Sequence, residues 1–475
     1  MDRWRLITTS AKGGSVVAGA VLARLAITFV TQVTVARILD PDIFGKLAFA
    51  TVVAMFLGSF SNLHGDKFVI QHRENPQHAL NVAFTLELLA ALFFLGIVLV
   101  LAPPVMHLLQ KPELTIYVQF LALTFFYNPL CRPRCMLEKE LMFVQSKLPL
   151  VVSQLCGGVI AITLAYYGYG IWSLIWWRLA VPAVEVLILW TIAGRLRLVW
   201  DPGMARALLA FGWPLMGSAF LVFFYYNVDY FIVGHFLPNG EEQLGFYWLG
   251  FQAGSYLLMS RQVLMDVFFP VFSRIEDEGL KTRAFQLLTR ATAGAFLIPT
   301  LTVVFFGRDL VLLVYGSKWE PAVLPFQIVF ITVLTRVVVA NVGYFHLSSG
   351  RTRPQFLVAI VFSILLPPAA YWATLTHQIN GTAMSVLLVQ VIITFFVFER
   401  YIKPTTGHGT LYFFLWPWTL SCLALFLAVY SERHALAFSQ RLGIFAVLLL
   451  IAYVTVFRSV LGDVKSLLQI RGDGR

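Results

Sequence analysis

Apolar windows of about twenty residues recur along almost the whole chain, and no polar interval between them exceeds about twenty residues. A helix of that length crosses the roughly 30 Å hydrocarbon layer of a bilayer. The intervals are too short to hold a separate soluble domain. Composition agrees where it matters: 12% of the residues are charged, against about 25% in soluble domains. The sequence is therefore read as an all-α polytopic membrane protein of about 14 transmembrane helices. They centre on residues 14–37, 44–63, 79–101, 114–130, 148–167, 171–193, 208–235, 244–269, 285–306, 323–347, 356–376, 381–398, 410–430 and 442–457.

The start, MDRWRLITTSAKGGS, is basic and then turns apolar, as a secretory signal does. Its apolar part runs from about Gly14 to Leu39 without a clear small-residue cleavage site. A retained first span is the better reading. Orientation follows from the Lys/Arg asymmetry of membrane proteins. With the N-terminus in the cytoplasm, 23 of the 35 Lys and Arg fall in inner segments and seven in outer loops. Both termini are then cytoplasmic and the number of spans is even. The net charge of +11 reads as topology and contact with anionic membrane lipids; no nucleic-acid partner is expected. Cys131, Cys135, Cys156 and Cys422 show no metal-site spacing, so no disulfide framework or metal site is expected.

Two turns look alike. VARILDPDIFGKLAFA (35–50) closes span 1, and IVGHFLPNGEEQLGFYWLG (232–250) closes span 7. Each runs through a Pro-containing polar turn into an aromatic or Leu followed by Gly, at Phe44-Gly45 and Leu244-Gly245. The match falls where a duplicated six-span unit would place it, an arrangement common in transporters. The expected organisation is two pseudo-symmetric six-helix lobes, 1–200 and 201–402, plus two further transmembrane helices and a cytoplasmic tail in 403–475.

Nine charged residues lie inside these spans: Arg24, Arg178, Arg261, Arg290, Arg336, Glu87, Glu185, Asp229 and Asp266. Each costs roughly 2.5–3.5 kcal/mol at a helix centre on insertion scales. They are therefore expected to face the bundle interior, pair with one another, or line water. All five cations are Arg, whose planar fork suits phosphate and carboxylate oxygens. Arg290 lies near a span end, where it can snorkel to the headgroups. Arg24 shares a helical stripe with Thr28 and Thr31, so that face of span 1 reads as wet. Arg24, Arg261, Arg336 and Arg178 are the candidate substrate-binding cations. Asp229, Glu87, Asp266 and Glu185 are the candidate cavity or ion-coupling acids, with an interhelical salt bridge as the alternative for each.

VARILDPDIFGKLAFATVV, FGWPLMGSAFLVFFYYNVDYFIVGHFL, LGFYWLGFQAG and LVLLVYGSKWEPAVLPFQIV (310–329) make the chain resemble the polysaccharide transporter, or oligosaccharide flippase, branch of the multidrug/oligosaccharidyl-lipid/polysaccharide superfamily. The resemblance spans about residues 10–400. It implies two six-helix lobes that open alternately to either side of the membrane, with spans 1, 2, 7 and 8 facing the cavity. It also implies transport of polyprenyl-pyrophosphate-linked oligosaccharide to the outer leaflet of a bacterial cytoplasmic (inner) membrane. Arg24 fits the family's cavity cations by its place on span 1, whereas Arg261 and Arg336 fit by location only. A lipid-linked oligosaccharide, membrane lipids, H⁺ or Na⁺ and polysaccharide polymerase machinery are the implied partners. The implied molecule is a monomer without cofactor. HGDKFVIQHREN (64–75) departs from the family's Gly-rich apolar turn.

Two other classes fit the sequence less well. A cation-coupled drug or metabolite antiporter of the same superfamily would favour an acid-rich cavity, whereas here intramembrane Arg slightly outnumber acids. A polyprenyl-glycan polymerase or glycosyltransferase would need a long outer loop that this sequence lacks, although Asp40-Pro41-Asp42 superficially matches a metal-binding DxD. The chain is read as a transporter, not an enzyme. No GxxxxGK[ST] phosphate loop is present, so ATP is not the expected direct drive.

Overall fold

The computed structural model describes residues 3–71, 75–140, 142–194, 196–272, 277–348 and 353–458. Every regular element among them is helical. Eleven helical segments are long and apolar enough to cross a membrane, so the protein is a multi-pass membrane protein. Its contacts divide it into two compact units, Met1–Gly245 and Phe246–Arg475.

The first unit holds α1 (Arg3–Ile38), α2 (Pro41–Leu57), α3 (Gly65–Gln71), α4 (Pro76–Leu108), α5 (Thr115–Ala122), α6 (Tyr127–Leu130), α7 (Pro133–Lys139), α8 (Phe143–Tyr166), α9 (Ile171–Ile192) and α10 (Pro202–Phe236). Several helix starts follow local chemistry. Pro41, Pro76 and Pro202 stand in the first turn of α2, α4 and α10, where a missing N–H costs nothing. Asn75 caps α4 and Asp201 caps α10 through side-chain oxygens that accept from the first-turn N–H groups. α8 packs between α1 and α9. Adjacent glycines allow this approach, since a Cβ on Gly157 would collide with Val181 and one on Gly158 with Thr31. Small residues at such crossings are a usual basis of helix packing in membranes.

Two spans of this unit are broken. Between α2 and α3 the chain leaves the helix through Gly58-Ser-Phe-Ser-Asn-Leu-His64, and His64 takes φ 57°. Ser and Asn compete for backbone hydrogen bonds and disfavour a helix interior. The segment 112–139 is likewise a chain of short pieces, interrupted at Pro129 and Pro133.

Asp201 also accepts from the His78 ring at 2.9 Å. That hydrogen bond and the Met204 and Gly203 N–H groups hold its carboxyl below the usual carboxylate range. A depressed folded value means that the stabilisation is complete above about pH 4 and is lost as pH falls through the lower folded value. Asp201→Asn, which can still cap, is therefore expected to flatten the acid limb of a thermal-stability profile in detergent between about pH 5 and pH 3. An unchanged profile would show that the pair contributes nothing.

The second unit takes most of α11 (Gly240–Phe272), then α12 (Glu278–Phe305), α13 (Gly307–Val314), α14 (Val323–Ser348), α15 (Arg353–Val397), α16 (Lys403–Thr406), α17 (Thr410–Arg433) and α18 (Phe438–Ala452). α14 packs on α12, α15 and α17. α15 is two helices separated by non-helical dihedrals at His377 and Gln378, which is where the sequence separates spans 356–376 and 381–398.

Candidate functional site

The first unit encloses a cavity of about 660 Å³, within the roughly 300–1,000 Å³ range of small-ligand sites. α1 contributes Arg24, α9 contributes Arg178 and Glu185, and the two broken spans contribute Asn62, His64 and Tyr127. Backbone that leaves the helix at membrane depth is tolerated where it lines such a cavity. The cavity thus brings together three of the residues singled out in the sequence: Arg24, Arg178 and Glu185. Thr28 of the same α1 stripe turns its hydroxyl back onto the Arg24 carbonyl.

The carboxylates are held by partners the sequence reading missed. Glu87 is fully buried and forms a two-pronged ion pair with Arg132, itself 6% exposed. The Gly65 N–H donates to Glu87 at 2.9 Å. Arg132 also reaches Asp66 at 3.3 Å and Asn62 Oδ1 at 3.3 Å, so it ties α4 to the broken end of α2 and to α3. Glu185 pairs with Arg134 and accepts from the Tyr127 hydroxyl at 3.1 Å. Arg132 and Arg134 belong to Cys131-Arg-Pro-Arg-Cys135, which the sequence places in an inner loop; they turn inward instead. The signal was the pairing itself. Two intramembrane carboxylates need cations, and two arginines one residue apart follow the break at Pro129.

Arg24 and Arg178 are different. Among the described residues neither has an acidic or hydrogen-bonding partner for its guanidinium. They are cations presented to the cavity.

The remaining candidates lie elsewhere. Asp229 on α10 is buried and accepts from the Tyr230 N–H at 3.0 Å, and it is not among the residues lining this cavity. In the second unit, Arg336 is buried, donates to Gln390 Oε1 at 3.3 Å and lies 5.6 Å from the Phe251 ring centre. Arg290 donates to the Tyr412 hydroxyl at 3.1 Å. The side chains of Arg261 and Asp266 lie outside the described residues.

The two similar turns meet. A Cβ on Gly45 would collide with the Glu241 carbonyl oxygen, and a Cβ on Gly245 with the Pro41 carbonyl oxygen. The contact is reciprocal, and both the prolyl–glutamyl and the glycyl–glycyl positions are 200 residues apart. Glu241 further binds Lys111 at 2.8 Å and lies 3.7 Å from Lys46.

Residues 34–324 match the family described as polysaccharide biosynthesis protein. The chain belongs to this family. It is 24% identical over 423 residues to the lipopolysaccharide biosynthesis protein WzxC of Escherichia coli (strain K12), covering 87% of this chain and 83% of that protein. It is 27% identical over 306 residues to the succinoglycan biosynthesis transport protein ExoT of Rhizobium meliloti (strain 1021), covering 62% of this chain and 60% of that protein. In fold it is similar to the lipid II flippase MurJ in an inward closed conformation, with a TM-score of 0.67 at 10% identity, over 94% of this chain and 99% of that one. An inward-facing multidrug resistance MATE family transporter gives a TM-score of 0.60 at 13% identity, over 85% of this chain and 98% of that one.

Proposed function

We propose that this family member is a flippase that moves polyprenyl-pyrophosphate-linked oligosaccharide from the cytoplasmic to the outer leaflet by alternating access, for export of a surface or secreted polysaccharide. The observation that carries the reading is the pair of cavity cations, Arg24 and Arg178, without acidic partners among the described residues. A cavity-lining cation without an acidic partner among the described residues is suited to a ligand that brings a negative charge. Arg forks match pyrophosphate oxygens, and a wet cavity lets a hydrophilic glycan avoid hydrocarbon. The same charge disfavours the antiporter of cationic drugs. Asp42, one half of the DxD-like pair, is engaged by Lys46 at 3.0 Å, and the glycosyltransferase reading stays the second one.

The proposed frame has fourteen spans, with both termini on the cytoplasmic side of a bacterial inner membrane. Counting Phe356–Thr406 as two spans across the His377–Gln378 break, and adding α2 and α11, brings the eleven segments to that number. The reciprocal Gly45–Gly245 contact supports a duplication into lobes 1–200 and 201–402, with 403–475 appended. Outward movement of an anion across an inside-negative membrane gains about 2.3 kcal/mol per charge per 100 mV. H⁺ or Na⁺ coupling is proposed for Asp229, a buried carboxylate inside α10. Asp229→Asn with unaltered pH and Na⁺ dependence of transport would remove that assignment.

The test is made in cells lacking the protein. Polyprenyl-linked glycan should collect on the cytoplasmic face, and wild type should restore its outer-leaflet pool. Arg24→Ala and Arg178→Ala proteins, present at wild-type levels, should each restore less than a tenth of it. Normal outer-leaflet glycan lipid in the deletion strain would end the flippase reading.

A further inference from the structure

A second, apolar hollow adjoins the cavity. It is a groove of about 340 Å³ between α2, the end of α4 and α10, walled by Val53, Phe56, Leu109, Phe224, Val228 and Phe231. One helical stripe of α10 supplies one wall, since positions 224, 228 and 231 recur at the spacing of a single face. Asn227 is the one polar side chain in the lining, and its amide donates to the Phe223 carbonyl of its own helix at 2.8 Å. The groove therefore offers a ligand no open polar group. Leu108, in its lining, is 79% exposed, so the groove is open at that residue. Phe223 lines both this groove and the polar cavity. A cationic chamber and an apolar slot thus meet at one phenyl ring.

We propose that this groove seats the prenyl chain of the lipid-linked substrate while its anionic head lies at Arg24 and Arg178. This rests on the flippase reading above and adds where the chain runs: along α2 and α10, away from the cavity. An amphiphile with an anionic head and a long apolar tail matches the two hollows in order and in chemistry. A second apolar hollow, between α9 and the 112–139 segment, also borders the cavity. There the dividing wall includes Tyr127, which is pinned by its hydrogen bonds to Glu185 at 3.1 Å and from Arg134 at 3.4 Å. At the α2–α10 side the shared residue is Phe223, which has no polar group to anchor its ring. The chain is therefore assigned to the α2–α10 groove.

The test is photolabelling of the full-length protein in vesicles with a polyprenyl phosphate that carries a benzophenone on its chain, followed by mapping of the adducts. A diazirine phosphatidylethanolamine serves as the parallel probe. The proposal expects prenyl adducts on residues 52–57 and 223–231, displaced by excess unlabelled polyprenyl phosphate, with phospholipid adducts there that are not displaced. Val228→Trp, which fills the groove, should cut the groove adducts at least tenfold. It should leave binding of free pyrophosphate at the cavity unchanged. Equal, non-displaceable labelling by both probes would make the groove an ordinary lipid contact and overturn the proposal. Displaceable prenyl adducts on Trp176 or Leu187 instead, with flipping by wild type intact, would overturn the groove while sparing the flippase. Absence of any displaceable prenyl adduct, together with absence of flipping by wild type, would remove both.

Discussion

Arg132→Met, in a chain that keeps Glu87, is expected to destabilise the protein by about 3–5 kcal/mol, the usual consequence of leaving a buried charge without its partner. The Glu87 carboxylate has no exposure to water, and two of its contacts, both from Arg132, disappear together. The remaining Gly65 N–H cannot balance a full charge. Glu87→Gln/Arg132→Met removes both charges and should recover most of the loss, because replacing a buried pair by uncharged groups of similar volume is often near neutral. The readout is the folded, monodisperse fraction after a heating series in detergent. The same variants separate two roles for Glu87. A structural ion pair predicts that the double variant transports with an unchanged pH and Na⁺ profile. An ion-coupling carboxylate predicts a stable double variant whose profile is flat. The first outcome is expected, since both Glu87 oxygens are engaged by Arg132 and the Gly65 N–H and tie α4 to the segment 62–66.

That pair also marks where the sequence stopped being readable. Span positions were legible because twenty apolar residues have one stable arrangement in hydrocarbon. The break at His377–Gln378 fell between two apolar windows and was foreseen. The partners of Glu87 and Glu185 were not foreseen. A Lys/Arg count assigns sides to loops, but it treats every arginine near a span end alike and cannot tell a headgroup contact from a side chain that folds back into the bundle. Arg178 and Glu185 share α9, yet Arg134 from another span pairs with Glu185 and Arg178 lines the cavity. The apolar groove was invisible for a related reason. In a membrane helix both lipid-facing and groove-facing positions are apolar, so the stripe Phe224, Val228, Phe231 carries no contrast against its neighbours.

The turns at 35–50 and 232–250 were legible as relatives but not as partners, and their contact leads to the second large effect. Gly45→Val and Gly245→Val should each abolish most transport, with at least a tenfold loss in the leaflet assay. Each added side chain would drive into the backbone of the opposite turn rather than into a movable side chain. Backbone cannot step aside by rotamer change, so the turns must part, at a cost of about 1–3 kcal/mol or more for overpacking of this kind. Because the contact is reciprocal, the two substitutions act on one seam. Once Gly45→Val has separated the turns, Gly245→Val has little left to disrupt. The double variant should therefore be only slightly worse than either single one, a coupling of the size seen between residues in direct contact, about 0.5–3 kcal/mol. Independent, additive losses would mean that each glycine serves its own helix and that the two turns do not work as one joint. Glu241→Gln supplies the control from the same turn. It weakens the ties to Lys111 and Lys46 without adding bulk, and these partly exposed pairs are worth at most about 1 kcal/mol. A mild defect from Glu241→Gln beside severe, non-additive defects from the two glycines would place the effect in the backbone approach and not in the charges around it.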